Sequence, residues 1–296
     1  MRDEATARPD LPPPLLAVPV RTAPLLAGSS ELLATLPRTF NRCRMSAIAP
    51  QVKARLEYVL TIADSCLILG HRLSEWCGHG PVLEEDIALT NVALDLIGQA
   101  RSLYGYAGAL EGKGRGEDRF AFERDENEFR NVTMTELPNG DYGFTIMRNF
   151  LFFAFQRELW AALQTHDDSQ LSEIARKSLK ETRYHVQHAS DWVIRLGDGT
   201  EESHGRMQRA LVVLWPYTAE FFSASTGDRA DAGPAWSTLE SRWSSVVRPV
   251  LDVATLQVPA STAFLSRGKE GIHGEHLTPL LAEMQYLQRV HPNCDW

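Results

Sequence analysis

LEEDIALTNVALDLIGQARSLYGYA, residues 83–107, reads as one long helix and decides the fold class. Its polar residues Asn91, Asp95 and Gln99 stand four apart, so all three project from one face. A second long helix, near residues 170–196, carries Glu181, His185 and His188. Long helices that turn carboxylates and histidines inward predict an all-α bundle with a polar layer at its centre.

A ferritin-like four-helix bundle is the architecture that uses such a layer. Its di-metal centre takes a Glu from each of two helices and a Glu-x-x-His from each of the other two. Here the spacing fails, because Asp95 is followed three residues later by Gly98 and Glu181 by Tyr184. Counting from the loop near Gly80 sets Asp95 level with Ser65, beside Asp64. Counting about Asp168 sets Glu181 level with Phe155, one turn from Glu158. Asp64, Asp95, Glu158, Glu181 and His185 are therefore the candidates for a vestigial site, and no metal is expected on them. In the competing reading Asp64, Asp95, Glu158 and Glu181 are the acids of a buried network, partnered by residues such as Asn91, Gln99, Arg157, Arg183 and His185. The literal Glu-x-x-His pairs Glu201–His204 and Glu270–His273 lie at glycine-rich helix boundaries, where they are weak ligand candidates.

The other elements follow from periodicity and punctuation. A first helix is predicted over 52–76, with Gly78-His79-Gly80-Pro81 ending it, and a second over 83–110 with Glu84, Glu85 and Asp86 in its first turn. A connection follows at 112–119, then a short helix near 125–134. The third long helix, 141–166, is rich in Phe and should be central, and the fourth spans 169–196. Thr200 caps a helix over 201–223. Another runs over 235–257 with Pro249 as a kink, and a last one starts at Thr278 as N-cap. Strand signals are poor throughout.

Composition sets the remaining bounds. The chain has 296 residues, 44% of them hydrophobic, enough for one large domain. A net charge of −8 argues against nucleic acid as a partner, and no run of apolar residues is long enough to span a membrane. Four scattered cysteines without a CxxC fit a reducing cytoplasm, with Cys66 and Cys77 as small buried residues. Residues 1–44 hold seven of the 16 prolines and read as a disordered extension ahead of a helical domain over 45–296. Met45 leads directly into the first helix, so a translation start there is the competing reading.

Four strings carry a resemblance: RLSEWCGHGPVLEEDIALTNVALDLIGQAR (72–101), FERDENEFRN (122–131), KETRYHVQHASDWVIRLGDGT (180–200) and GKEGIHGEHLTPLLAEMQYLQRV (268–290). Over about residues 52–296 the chain resembles the C-subunit family of the ring-1,2-phenylacetyl-CoA epoxidase, a multicomponent phenylacetyl-CoA monooxygenase of the ferritin-like superfamily. The resemblance implies a non-catalytic structural subunit of phenylacetate catabolism. Its partner would be a related catalytic subunit with a di-iron centre, the pair forming a heterodimer that assembles further. A reductase with FAD and an iron–sulfur cluster would supply electrons from NADPH. The aromatic helix and residues 268–290 are the expected partner contacts. The alternative is an active di-iron carboxylate oxygenase with a non-standard ligand set drawn from the five candidates.

Overall fold

The computed structural model describes residues 49–225, 232–260, 264–292 and 294. The extension read over residues 1–44 lies outside them.

Four long helices build the bundle. α1 (Pro50–Ser74) and α2 (Leu83–Glu111) form one antiparallel hairpin, and α4 (Tyr142–Leu163) and α5 (Ser169–Gly197) form the other. The second hairpin is tightly punctuated. The Asp141 side chain accepts from the Phe144 N–H to start α4, and Asp168 accepts from Leu171 N–H to start α5. α4 is the central element, as its composition predicts. Phe150, Phe152, Phe153 and Trp160 are at most 1% exposed. The chain's own core therefore encloses these four aromatic side chains, while Tyr142 and Phe144 of the same helix are only partly buried.

α3 (Glu117–Phe122) forms where a connection was expected. The expected helix over 125–134 resolves into two 3-10 turns, Glu126–Glu128 and Thr133–Glu136, with extended backbone at Phe129 between them. The reason is tertiary. This segment spends its backbone on the bundle, with the Arg130 N–H donating to Asp64 and the Val132 N–H to Ser65.

α6 (Glu201–Leu214) starts at Thr200, whose hydroxyl accepts from Ser203 N–H, as predicted. It stops early because Pro216 has no N–H to continue the ladder. A 3-10 turn, Trp215–Thr218, and the four-residue α7 (Ala219–Phe222) replace its expected end. α8 (Glu240–Val253) contains Pro249. α9 (Leu277–Met284) has His276 rather than Thr278 at its N-cap, and α10 (Tyr286–Val290) completes the described elements. The Thr278 hydroxyl turns instead to Glu126. Among the described residues there is no strand, only one isolated bridge between Arg267 and Ile272. The fold is all-α, a ferritin-like four-helix bundle with additional helices and a C-terminal segment.

Candidate functional site: the central polar layer

Each bundle helix sends one polar side chain to the centre, and the four form a continuous chain. Cys66 comes from α1, Gln99 from α2, Gln156 from α4 and Glu181 from α5. Gln156 Nε2 donates to the Cys66 sulfur at 3.0 Å and to Gln99 Oε1 at 3.2 Å. Gln99 Nε2 donates to Glu181 Oε2 at 3.0 Å. Cys66, Gln99 and Gln156 are each at most 3% exposed. Glu181 lies at the outer end, where Lys177 Nζ is 3.9 Å away, beside a cavity of about 220 Å³ that Gly98 and Ser102 help to line.

One turn along, the α2–α5 seam repeats. His185 Nε2 faces Asp95 Oδ2 at 3.0 Å, while His185 Nδ1 is buried without a hydrogen-bond partner among the described residues. The two rungs obey one register: residues 95 and 99 of α2 meet residues 185 and 181 of α5, each four apart. Asp95 stays partly open to solvent, whereas His185 is fully enclosed and packs against Phe153.

The structure separates the five candidates into distinct networks. Glu181 is in the central layer, and Asp95 and His185 form the next rung. Asp64 and Glu158 point elsewhere. Two residues along a helix is about 200° of rotation, so Asp64 faces away from the Cys66 side of α1 and Glu158 away from the Gln156 side of α4. Glu158 is held by its neighbour Arg157, whose Nε lies 2.8 Å from Oε1. The level expected for Asp95 is also corrected. The α1–α2 pairing turns about residues 82–83, because α2 restarts only at Leu83. Ala93, Leu96 and Ile97 consequently surround Gly70 rather than Ser65. Neither Glu-x-x-His pattern forms a pair: Glu270 binds Arg267, and His204 Nδ1 binds the Gly197 carbonyl at 2.7 Å.

Asp64 is buried completely and fully used. It accepts from Tyr104 at 2.6 Å, from Arg124 on both oxygens, and from the Arg130 N–H at 2.8 Å. Burial opposes the Arg124 charge, yet Asp64, with Tyr104 and Glu128 adding to it, outweighs burial and raises that group above its ordinary value. The Tyr104 hydroxyl is pushed well up by burial and by Asp64. The anticipated partners Gln99, Arg157 and His185 hold Glu181, Glu158 and Asp95. Arg124 and Tyr104 were not anticipated.

The donor set does not fit a di-metal centre. Burial drives the Cys66 thiol strongly upward, with Asp64 and Glu181 adding to it against the Gln156 hydrogen bond, so the sulfur stays protonated. Two of the other donors are neutral amides, which leaves Glu181 as the layer's one carboxylate. The positions three residues beyond Gln99 and Glu181 are Ser102 and Tyr184, and Tyr184 is turned to solvent. Among the described residues, no three His, Cys, Asp or Glu side chains converge as a metal ion would require. Gln156 had a readable signal, since it is the first polar residue after the apolar run at 150–155, and Cys66 is buried as expected. Cys77 departs from expectation, being exposed beyond the end of α1.

Residues 44–296 match the phenylacetic acid catabolic protein family. The chain is 46% identical over 243 residues to the C-subunit of the 1,2-phenylacetyl-CoA epoxidase of Escherichia coli (strain K12), a match that spans 81% of this chain and 98% of that protein. With the helical bundle and the match along most of its length, this chain belongs to the phenylacetic acid catabolic protein family.

Proposed function

We propose that the chain is a non-catalytic structural subunit of a phenylacetyl-CoA epoxidase in the cytoplasm. It pairs with the related catalytic subunit, which carries the di-iron centre, while a flavin and iron–sulfur reductase feeds electrons to that subunit. The observation that carries this reading is the central layer. Where a di-metal bundle gathers carboxylates and histidines, this one joins Cys66, Gln99, Gln156 and Glu181 by direct hydrogen bonds. The likeness to an epoxidase C-subunit along most of the chain supports the choice of complex. Among the described residues, no helix is long and apolar enough to cross a membrane.

The alternative, an active di-iron oxygenase, needs Asp64, Asp95, Glu158, Glu181 and His185 on one metal pair. Asp64 would have to abandon Arg124, Tyr104 and Arg130, leaving a buried guanidinium uncompensated. Reconstituted turnover separates the two readings. With the catalytic subunit and reductase supplied, Glu181→Gln and Asp95→Asn in this chain should leave epoxidation within about twofold of the unaltered complex. A loss of about 100-fold or more in complexes that still assemble would assign the chemistry to this chain.

A further inference from the structure

Residues 264–292 form a segment that is anchored by buried charge as well as by the apolar side chains Leu277, Leu280 and Leu281 of α9. Glu220, 1% exposed, accepts from the Ser266 hydroxyl at 2.6 Å and the Lys269 N–H at 3.1 Å. Lys269 itself is 4% exposed, lies over the Trp236 ring and donates to the Phe221 carbonyl at 2.9 Å. Glu136 accepts from Gly274 N–H at 3.0 Å. Further on, Gln285 Nε2 donates to the Ala121 and Arg124 carbonyls, and Arg289 reaches Asp125. The segment thus crosses the 121–137 stretch that presents Arg124 to Asp64.

His273 is its pivotal group. The side chains of both His273 and Glu136 are wholly buried. His273 Nε2 lies 3.1 Å from the Phe129 carbonyl oxygen, and Nδ1 lies 3.4 Å from Glu136 Oε2. Nε2 is within hydrogen-bond distance of a carbonyl oxygen, and Nδ1 sits at ion-pair range from Glu136 Oε2 with no hydrogen bond formed by either atom among the described residues, so a proton on each nitrogen gives both a favourable neighbour. A neutral ring would turn one lone pair onto a carbonyl or a carboxylate. We propose that residues 264–292 act as a pH-sensitive strap, seated by the imidazolium of His273 on Glu136 and loosened when that proton leaves, which unclamps the Arg124-bearing stretch.

The surroundings favour the charged ring. Burial pushes the His273 value down, but the Glu136 carboxylate, the Phe129 carbonyl and the more distant Asp64 outweigh it and hold it above the ordinary histidine value. The other charged groups around the strap are already engaged. Arg72 of α1 donates to the Glu136 and His276 carbonyls. Arg130 pairs with Glu57, and Glu270 on the strap pairs with Arg267. The Tyr217 hydroxyl, in the turn after α6, is pushed up by burial and by Glu136 and Glu220, so it stays neutral through the same range. A value raised in the seated state gives stability that is complete below the unseated histidine value of about 6.5. That stability falls by up to about tenfold per pH unit as pH rises through the seated value.

Hydrogen–deuterium exchange of the full chain from pH 6 to pH 9, corrected for intrinsic exchange, tests the strap. Peptides covering 264–292 and 121–137 should lose protection progressively across the series, while α4 peptides keep theirs. His273→Gln should exchange rapidly in the same peptides at every pH. Strap protection that stays constant relative to α4, or a pH-dependent loss that survives in His273→Gln, would overturn the proposal. Should that variant fail to fold, Glu136→Gln serves instead. It removes the charge that holds the proton, so the loss must move to lower pH, and an unmoved midpoint would overturn the proposal equally.

Discussion

Asp64 and Asp95 show how differently two carboxylates in one bundle can be employed. Asp64 has no contact with water and is bound by Arg124, Tyr104 and the Arg130 backbone. Removing it strands a buried guanidinium, so Asp64→Ala should destabilise the chain by about 3–5 kcal/mol in urea unfolding. An unchanged midpoint would contradict the network. Asp95, with a side chain 42% exposed, already meets solvent, and its removal leaves behind an imidazole rather than a guanidinium. Asp95→Ala should therefore cost less than Asp64→Ala by at least about 1 kcal/mol, in keeping with the weak worth of exposed pairs. Cys66 gives a chemical readout of the same interior. Its thiol is fully buried and held protonated, whereas Cys77 and Cys294 are exposed. A thiol-reactive disulfide reagent, with sites mapped by mass spectrometry, should label the latter two in the native chain and Cys66 only on unfolding. Labelling of Cys66 at the rate of Cys77 would mean that the central layer is open.

The elements divide by how locally they are determined. α2, α4 and α5 were legible because their periodicity and end signals are local: Asp141 and Asp168 open α4 and α5, and Gly112, with φ near 67°, closes α2. The 121–137 stretch was not legible. Its polar groups serve Asp64 and Ser65, far along the chain, and no local pattern announces such partners. The site followed the same division. Register counting put Glu181 level with Phe155, one residue from Gln156, because the α4–α5 loop is short. It missed that Gln156, not Glu158, faces inward, since both lie close to that level and only the rotation about α4 separates them. At this scale the strap offers a packing test. A Cβ on Gly268 would lie 2.2 Å from the Asn131 carbonyl oxygen and 3.0 Å from Thr133 Oγ1. Gly268→Ala should lower stability by about 1–3 kcal/mol and raise proteolysis within 264–292. Wild-type resistance would show that the strap seats less tightly than this geometry requires.

Across the described bundle, the long helices meet in a central layer joined by neutral amides, a protonated thiol and a single carboxylate. Two further networks, Asp64–Arg124 and Asp95–His185, absorb acids that the helical spacing alone would have gathered into one site. On this reading the interior is a structural joint, and any iron in the assembly resides in the partner. The decisive experiment is iron content measured together with solution mass, on the chain expressed alone and co-expressed with the catalytic subunit. A structural joint should give less than about 0.1 iron per lone chain and about two per heterodimer in the co-expressed complex. About two irons per lone chain, lost on Glu181→Gln, would contradict it and make this chain the oxygenase.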